Sequence, residues 1–133
     1  MNDENVVSGY RDRPDYRVDL LARTNTMTAA VDGTVLATSD ETLLVDEQDH
    51  GLVVYFPPSA VNLSLLEPVD LHTVCPFKGQ ASYWSLPGSD RPWIAWTYPR
   101  PHPPVARLAG YIAFDQSAVQ VTIGSGRYTG VRA

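Results

Sequence analysis

From residue 26 onward, short apolar and β-prone runs alternate with polar turn residues, at a spacing of about 8–12 positions that suits short antiparallel strands. Runs 26–31 and 34–38 flank Asp32-Gly33. Asp-Gly between two such runs is a strong hairpin signal, because both turn positions need φ > 0. Runs 42–45 and 52–56 flank the acidic loop from Asp46 to Gly51 and predict a second hairpin. Pro57-Pro58 ends that strand, since neither proline can donate to a ladder. Ser59 is placed to cap a helical turn reaching Val61. Runs 71–75 and 80–86 flank Pro76-Phe77-Lys78-Gly79. A hairpin closing at Phe77-Lys78 sets Cys75 opposite Gln80 and His72 opposite Tyr83. A strand over 92–98 follows, then an extended stretch set by Pro99, Pro101, Pro103 and Pro104, and a helical turn over 105–109. Runs 110–114 and 118–123 read as a last hairpin around Asp115-Gln116-Ser117.

The pattern predicts an all-β fold: two curved antiparallel sheets, about eight short strands and minimal helix. It divides the chain into a polar N-terminal arm (residues 1–25), a single domain (26–123) and a glycine-bearing C-terminal tail (124–133). The arm mixes Asp and Arg. Its one apolar cluster, Val18 to Ala22, suits a short element packed on the domain.

Composition narrows the function classes. The 133 residues are 44% hydrophobic and 19% charged, with 10 Lys+Arg against 15 Asp+Glu and a net charge of −5. That is too apolar for a disordered chain, and no basic cluster is present to hold nucleic acid. The single cysteine, Cys75, excludes an intramolecular disulfide and any Cys₄ or Cys₂His₂ zinc site. A lone thiol, an acidic polar start and the lack of a membrane-length apolar run together fit a cytoplasmic protein. No cofactor motif is found: P-loop, dinucleotide fingerprint, His-Glu-x-x-His and nucleophile elbow are all missing.

Candidate chemistry concentrates between Glu67 and Gln80. Here Glu67, Asp70, His72, Cys75 and Lys78 lie within fourteen residues. Lys78 is the only lysine among ten basic residues, which marks a place where a compact amine matters, or simply a hairpin tip. A nearby ammonium would favour the thiolate of Cys75; otherwise Cys75 is a small buried hydrophobe. His72 suits a general base or a backbone-bonded strand residue, and Glu67 and Asp70 an acid/base couple or turn formers. Strand alternation puts Thr73 and Cys75 on one face and His72 and Val74 on the other. The acidic loop holding Asp46, Glu47 and Asp49 reads as a solvated tip, with His50 facing solvent. Aromatic residues crowd the second half: Tyr83, Trp84, Trp93, Trp96, Tyr98, Tyr111 and Phe114.

The stretch Cys75-Pro76-Phe77-Lys78-Gly79-Gln80-Ala81-Ser82-Tyr83-Trp84 resembles the core motif of domain-of-unknown-function family 427. Tyr55-Phe56-Pro57, Leu65-Leu66-Glu67-Pro68, Ala95-Trp96-Thr97-Tyr98-Pro99 and Gly110 to Phe114 agree in order and spacing, from about residue 26 to 123. The resemblance implies a β-tent-like architecture. Some domains of that architecture bind zinc through paired Cys-x-x-Cys knuckles, which one cysteine cannot supply. The family also carries a nucleotidyltransferase-type label, but no Gly-Ser followed by an Asp-x-Asp metal pair occurs here. Three readings follow. In the first, a small molecule binds between the sheets, with Tyr83, Trp84, Trp96, Tyr98 and Tyr111 as walls. Lys78 would hold an anionic group, Cys75 would act as nucleophile or wall, and His72 or Glu67 would relay protons. In the second, the domain is a non-catalytic interaction module or homodimer built on exposed strand edges. Nucleotidyl transfer is the weakest reading, because paired metal-binding carboxylates are missing.

Overall fold

The structure is a computed structural model describing residues 7–125. It contains ten strands: β1 (Val18–Arg23), β2 (Met27–Val31), β3 (Thr34–Ser39), β4 (Thr42–Glu47), β5 (Gly51–Phe56), β6 (Glu67–Cys75), β7 (Gly79–Ser85), β8 (Ala95–Thr97), β9 (Ile112–Phe114) and β10 (Gln120–Ile123). All pairings are antiparallel. Seven strands form one sheet in the order β1-β4-β5-β9-β8-β7-β6, and β10-β2-β3 form a second. The helical content is short 3₁₀ turns, as at Pro58–Ala60 and Pro103–Leu108. The fold is all-β, with two antiparallel sheets.

The expected hairpins form where turn chemistry specified them. Asp32 and Gly33 both have positive φ, 49° and 79°, and join β2 to β3. β4 and β5 pair around the acidic loop, and β6 and β7 around Pro76-Phe77-Lys78. Four local readings need correction. The β6–β7 register places Cys75 opposite Gly79 and His72 opposite Ser82, because the turn takes only the three residues Pro76-Phe77-Lys78; a bulge between Val69 and His72 then absorbs two further residues. Pro57, not Ser59, precedes the turn at Pro58–Ala60, and no side chain caps it. The strand expected over 92–98 shrinks to β8. The last hairpin does not form. Asp115 accepts the N–H groups of Ala118 and Val119 on its carbonyl and that of Ser117 on its side chain, and the chain crosses from one sheet to the other. β9 therefore lies between β5 and β8, and β10 pairs with β2.

Part of the arm is strand. Val18–Arg23 pairs with β4 along its full length and forms an edge of the large sheet. Of the expected tail only residues 124 and 125 are described; there Gly124 N–H donates to the Thr26 carbonyl. The remainder of the tail and residues 1–6 lie outside the described residues.

Each strand of the large sheet presents alternate residues to two faces. One face packs on the small sheet. Met27, Ala29, Leu36 and Ala37 meet Val54, Phe56, Ile94, Ile112 and Phe114 there, and the rings of Phe56 and Phe114 stand edge to face at 5.7 Å. This inter-sheet space is filled with side chains, Trp84 among those packed against it. The other face carries a second cluster, with Leu43, Val45, Tyr55, Ala81 and Ala113 packed against Tyr98 and Leu108 of the connection between β8 and β9.

Candidate functional site

On that second face the register aligns Leu43, Tyr55, Ala113, Trp96 and Tyr83 in one row across β4, β5, β9, β8 and β7. Ala113, with no exposed surface, is the only small side chain in the row. The gap it leaves lets the Trp96 indole reach across β9, where Nε1–H donates to the Tyr55 hydroxyl at 3.1 Å. The two rings stand at 89°. Trp93 meets Trp96 at 87° and tilts against Tyr83 at 55°. The Thr73 and Tyr83 hydroxyls share a hydrogen bond of 2.6 Å. These rings wall a recess of about 400 Å³, completed by Glu47, His50, Val53, Cys75, Lys78 and Tyr98.

An ion pair forms one side of the recess. Lys78 Nζ, at the β6–β7 turn, donates to Glu47 Oε1, at the end of β4. Glu47 is 4% exposed and Lys78 8%. The second carboxylate oxygen accepts the Tyr16 hydroxyl at 2.5 Å, and His50 Nε2 lies 3.5 Å away at the exposed rim. Burial pushes the Glu47 carboxyl up, but the hydrogen bonds from Lys78 and Tyr16 and the charge of Lys78 outweigh it. Glu47 is held below the usual carboxylate range and stays ionised at neutral pH. Burial and the Glu47 carboxylate raise the Tyr16 phenol, and burial raises Tyr55 and Tyr98, so all three keep their protons. The Lys78 ammonium stands 5.8 Å above the Tyr98 ring.

The leader segment secures this corner. Tyr16 stacks on Phe77 with centroids 3.6 Å apart, Tyr10 meets the same ring edge-on, and Gly9 N–H donates to the Pro76 carbonyl. The tip of the β6–β7 hairpin is thereby clamped, which holds Lys78 against Glu47. Gly79, at φ +108°, follows at once; a Cβ there would sit 3.3 Å from the Arg100 carbonyl oxygen.

The residues Cys75-Pro76-Phe77-Lys78-Gly79 that build this corner are those on which the family likeness rests. The family profile described as domain of unknown function DUF427 matches residues 19–125. The chain belongs to the DUF427 family. No curated protein matches the sequence.

The DUF427 domain brings together only part of the expected site. Cys75, Lys78, Tyr83, Trp96 and Tyr98 line the recess. His72 points to the opposite face of β6, is exposed, and lies 3.4 Å from the Ser82 hydroxyl. Glu67 is exposed at the start of β6, away from the recess. Trp84 packs on the inter-sheet core. Tyr111 packs beside the second cluster, its carbonyl accepting the Thr97 hydroxyl, and borders a separate recess with Arg23 and Arg107. The recess lies on the outer face of the large sheet, not between the sheets. Glu47 is buried, contrary to its reading as a solvated tip residue, while the side chain of His50 does face solvent.

Sequence reasoning missed Glu47, Val53 and Tyr55 as site residues and counted Trp93 only as one aromatic among many. Among the described residues no group of three His, Cys, Asp or Glu side chains can hold a metal ion. No helix there is long and apolar enough to cross a membrane. Chemically, the recess offers aromatic faces, a charge-balanced pair, a thiol and a fixed phenol.

Proposed function

We propose that this DUF427 domain binds a small organic molecule in the aromatic recess beside Lys78 and Glu47. The carrying observation is a buried ion pair bordering unfilled space. Burying two charges costs several kcal/mol, and apolar residues of similar volume are often as stabilising, so the pair is an expensive way to build a wall. A ligand that uses its polar atoms gives it a purpose. The recess volume of about 400 Å³ falls in the range of small-molecule sites. Convergent aromatic walls with a few polar groups are the usual lining of such sites. Cys75 and Lys78 place a thiol and an ammonium at the same place. Binding requires neither to react.

The three tryptophans make the test internal. Trp93 and Trp96 line the recess, and Trp84 packs on the other face. A library of planar aromatic fragments is titrated while the three indole N–H resonances are followed by NMR. Saturable shifts of Trp93 and Trp96, with Trp84 still, are expected. If no fragment moves those two, or all three move together, the reading fails. The interaction-module reading has less support. The β6 edge carries a bulge, Pro68, and the exposed Glu67 and Asp70, which blunt strand addition.

A further inference from the structure

We infer that the occupant of the recess is an uncharged planar compound whose polar end is a hydrogen-bond acceptor, such as a carbonyl or a ring nitrogen. This rests on the ligand-binding reading and narrows it, replacing the anionic ligand expected from Lys78 alone.

Lys78 is paired with Glu47, so their charges cancel within the lining. An anion entering here would meet the Glu47 carboxylate as well as the Lys78 ammonium in the lining, and would lose its own hydration. A cation would meet the reverse. An uncharged group avoids both costs.

The hydrogen bonds in the lining run in one direction. Both oxygens of Glu47 already accept, Oε1 from Lys78 and Oε2 from Tyr16. The Tyr55 oxygen accepts from Trp96, which leaves its O–H proton as the group still to be placed. That proton has no acceptor among the described residues, and Tyr55 is only 2% exposed to water. Its high pKa, set mainly by burial, keeps the proton in place. An ammonium carries three N–H donors, and Lys78 spends one on Glu47. Cys75 adds a weak S–H donor. The donors left for a ligand in this corner are phenol, ammonium and thiol, while each Glu47 oxygen already accepts one strong hydrogen bond.

Trp93 and Trp96 meet nearly at right angles, so a flat molecule can lie face-on to one ring and edge-on to the other, both favourable aromatic geometries.

Three probes sharing a naphthalene body separate the possibilities: 2-acetylnaphthalene, 2-naphthoate and 2-(aminomethyl)naphthalene. Affinities are read from the Trp93 and Trp96 indole resonances. The ketone should bind at least about tenfold more tightly than either charged probe, the size expected for desolvating one unpaired charge at a partly open site. Tyr55→Phe keeps the ring and should weaken the ketone about fivefold to tenfold, the worth of one hydrogen bond. Glu47→Gln uncovers the charge of Lys78 and should move the preference toward naphthoate. Naphthoate binding the unaltered protein as tightly as the ketone would overturn the charge argument; the amine binding most tightly would overturn the donor argument. The comparison on the unaltered protein stands even if Tyr55→Phe folds poorly. Silence from all three probes while other fragments shift the indoles ends this inference alone. Silence from every fragment ends the ligand reading with it.

Discussion

Replacing Lys78 with methionine removes the ammonium and keeps the length of the side chain. Glu47 would then sit 4% exposed, with the Tyr16 hydroxyl as its one close donor besides the rim histidine. Breaking a buried pair by deleting one partner costs about 3–5 kcal/mol. The recess admits water to one side, so the lower end, about 3 kcal/mol, is the expectation. In a domain of this size that lowers Tm by about 10 °C. The pH dependence is the sharper test. In the unaltered protein Glu47 titrates below the value of about 4.3 for a free glutamate, so its stabilisation is present above that pH and is lost as pH falls through the folded value. In Lys78→Met burial dominates and the folded pKa rises. Stability is then best below about 4.3 and declines as pH rises through the raised value. The gap between the two proteins should be widest near neutrality and should close in acid. Urea unfolding followed by tryptophan fluorescence from pH 4 to 8 measures it. The double substitution Glu47→Gln with Lys78→Met removes both charges and should recover much of the loss. If Lys78→Met stays within about 1 kcal/mol of the unaltered protein at pH 7 with the same acid profile, the ion pair is not a buried charge system in the sense argued above.

Tyr16→Phe keeps the stack on Phe77 and deletes one donor to Glu47; a loss of about 1.5–3 kcal/mol in urea unfolding is expected, and a change below 0.5 would mean that bond is solvent-replaceable. Ala113→Val forces two extra methyl groups beneath the Trp96 indole and should cost about 1–3 kcal/mol while breaking the indole bond to Tyr55, seen as a moved Trp96 N–H resonance; an unmoved resonance contradicts the row packing. Gly79→Ala places a Cβ at a φ of +108° beside the Arg100 carbonyl and should destabilise by at least about 1 kcal/mol. Cys75 lines the recess, so a thiol probe should label the folded protein, and saturating 2-acetylnaphthalene should slow that labelling; labelling only after denaturation would place the thiol in closed core.

The hairpins could be read because their signals are local. Asp32-Gly33 demands a positive-φ turn, and the acidic loop separates two apolar runs. The sheet assignment of β9 was not readable: three residues with no distinctive turn pair with strands far away in sequence. Glu47 shows the same limit at the site. Its neighbours Asp46, Gln48 and Asp49 describe a solvated tip, whereas Tyr16 and Lys78, the groups that bury it, each lie 31 residues away. One error was avoidable. Tyr83 and Trp84 are adjacent in a strand, so alternation already sends them to opposite faces, and they cannot both wall one pocket. The placement of the recess between the sheets failed for a packing reason: the small sheet delivers Met27 and Leu36 into that space and fills it.

The position of β9 has a consequence for how the domain comes into being. On one flank stand β1, β4 and β5, complete by Phe56; on the other stand β6, β7 and β8, complete by Thr97. Within the sheet, Ile112, Ala113 and Phe114 join the ladders of the two flanks, and the recess takes Glu47, Val53 and Tyr55 from the first and Cys75, Lys78, Tyr83 and Trp96 from the second. A chain emerging from the ribosome therefore lacks the strand that joins the two halves of the recess until residues 112–114 appear. The ladder that spans the recess and the large sheet itself are thus closed by the same three residues, so a molecule that fits the recess, as proposed above, would stabilise the joined sheet and not its separate flanks.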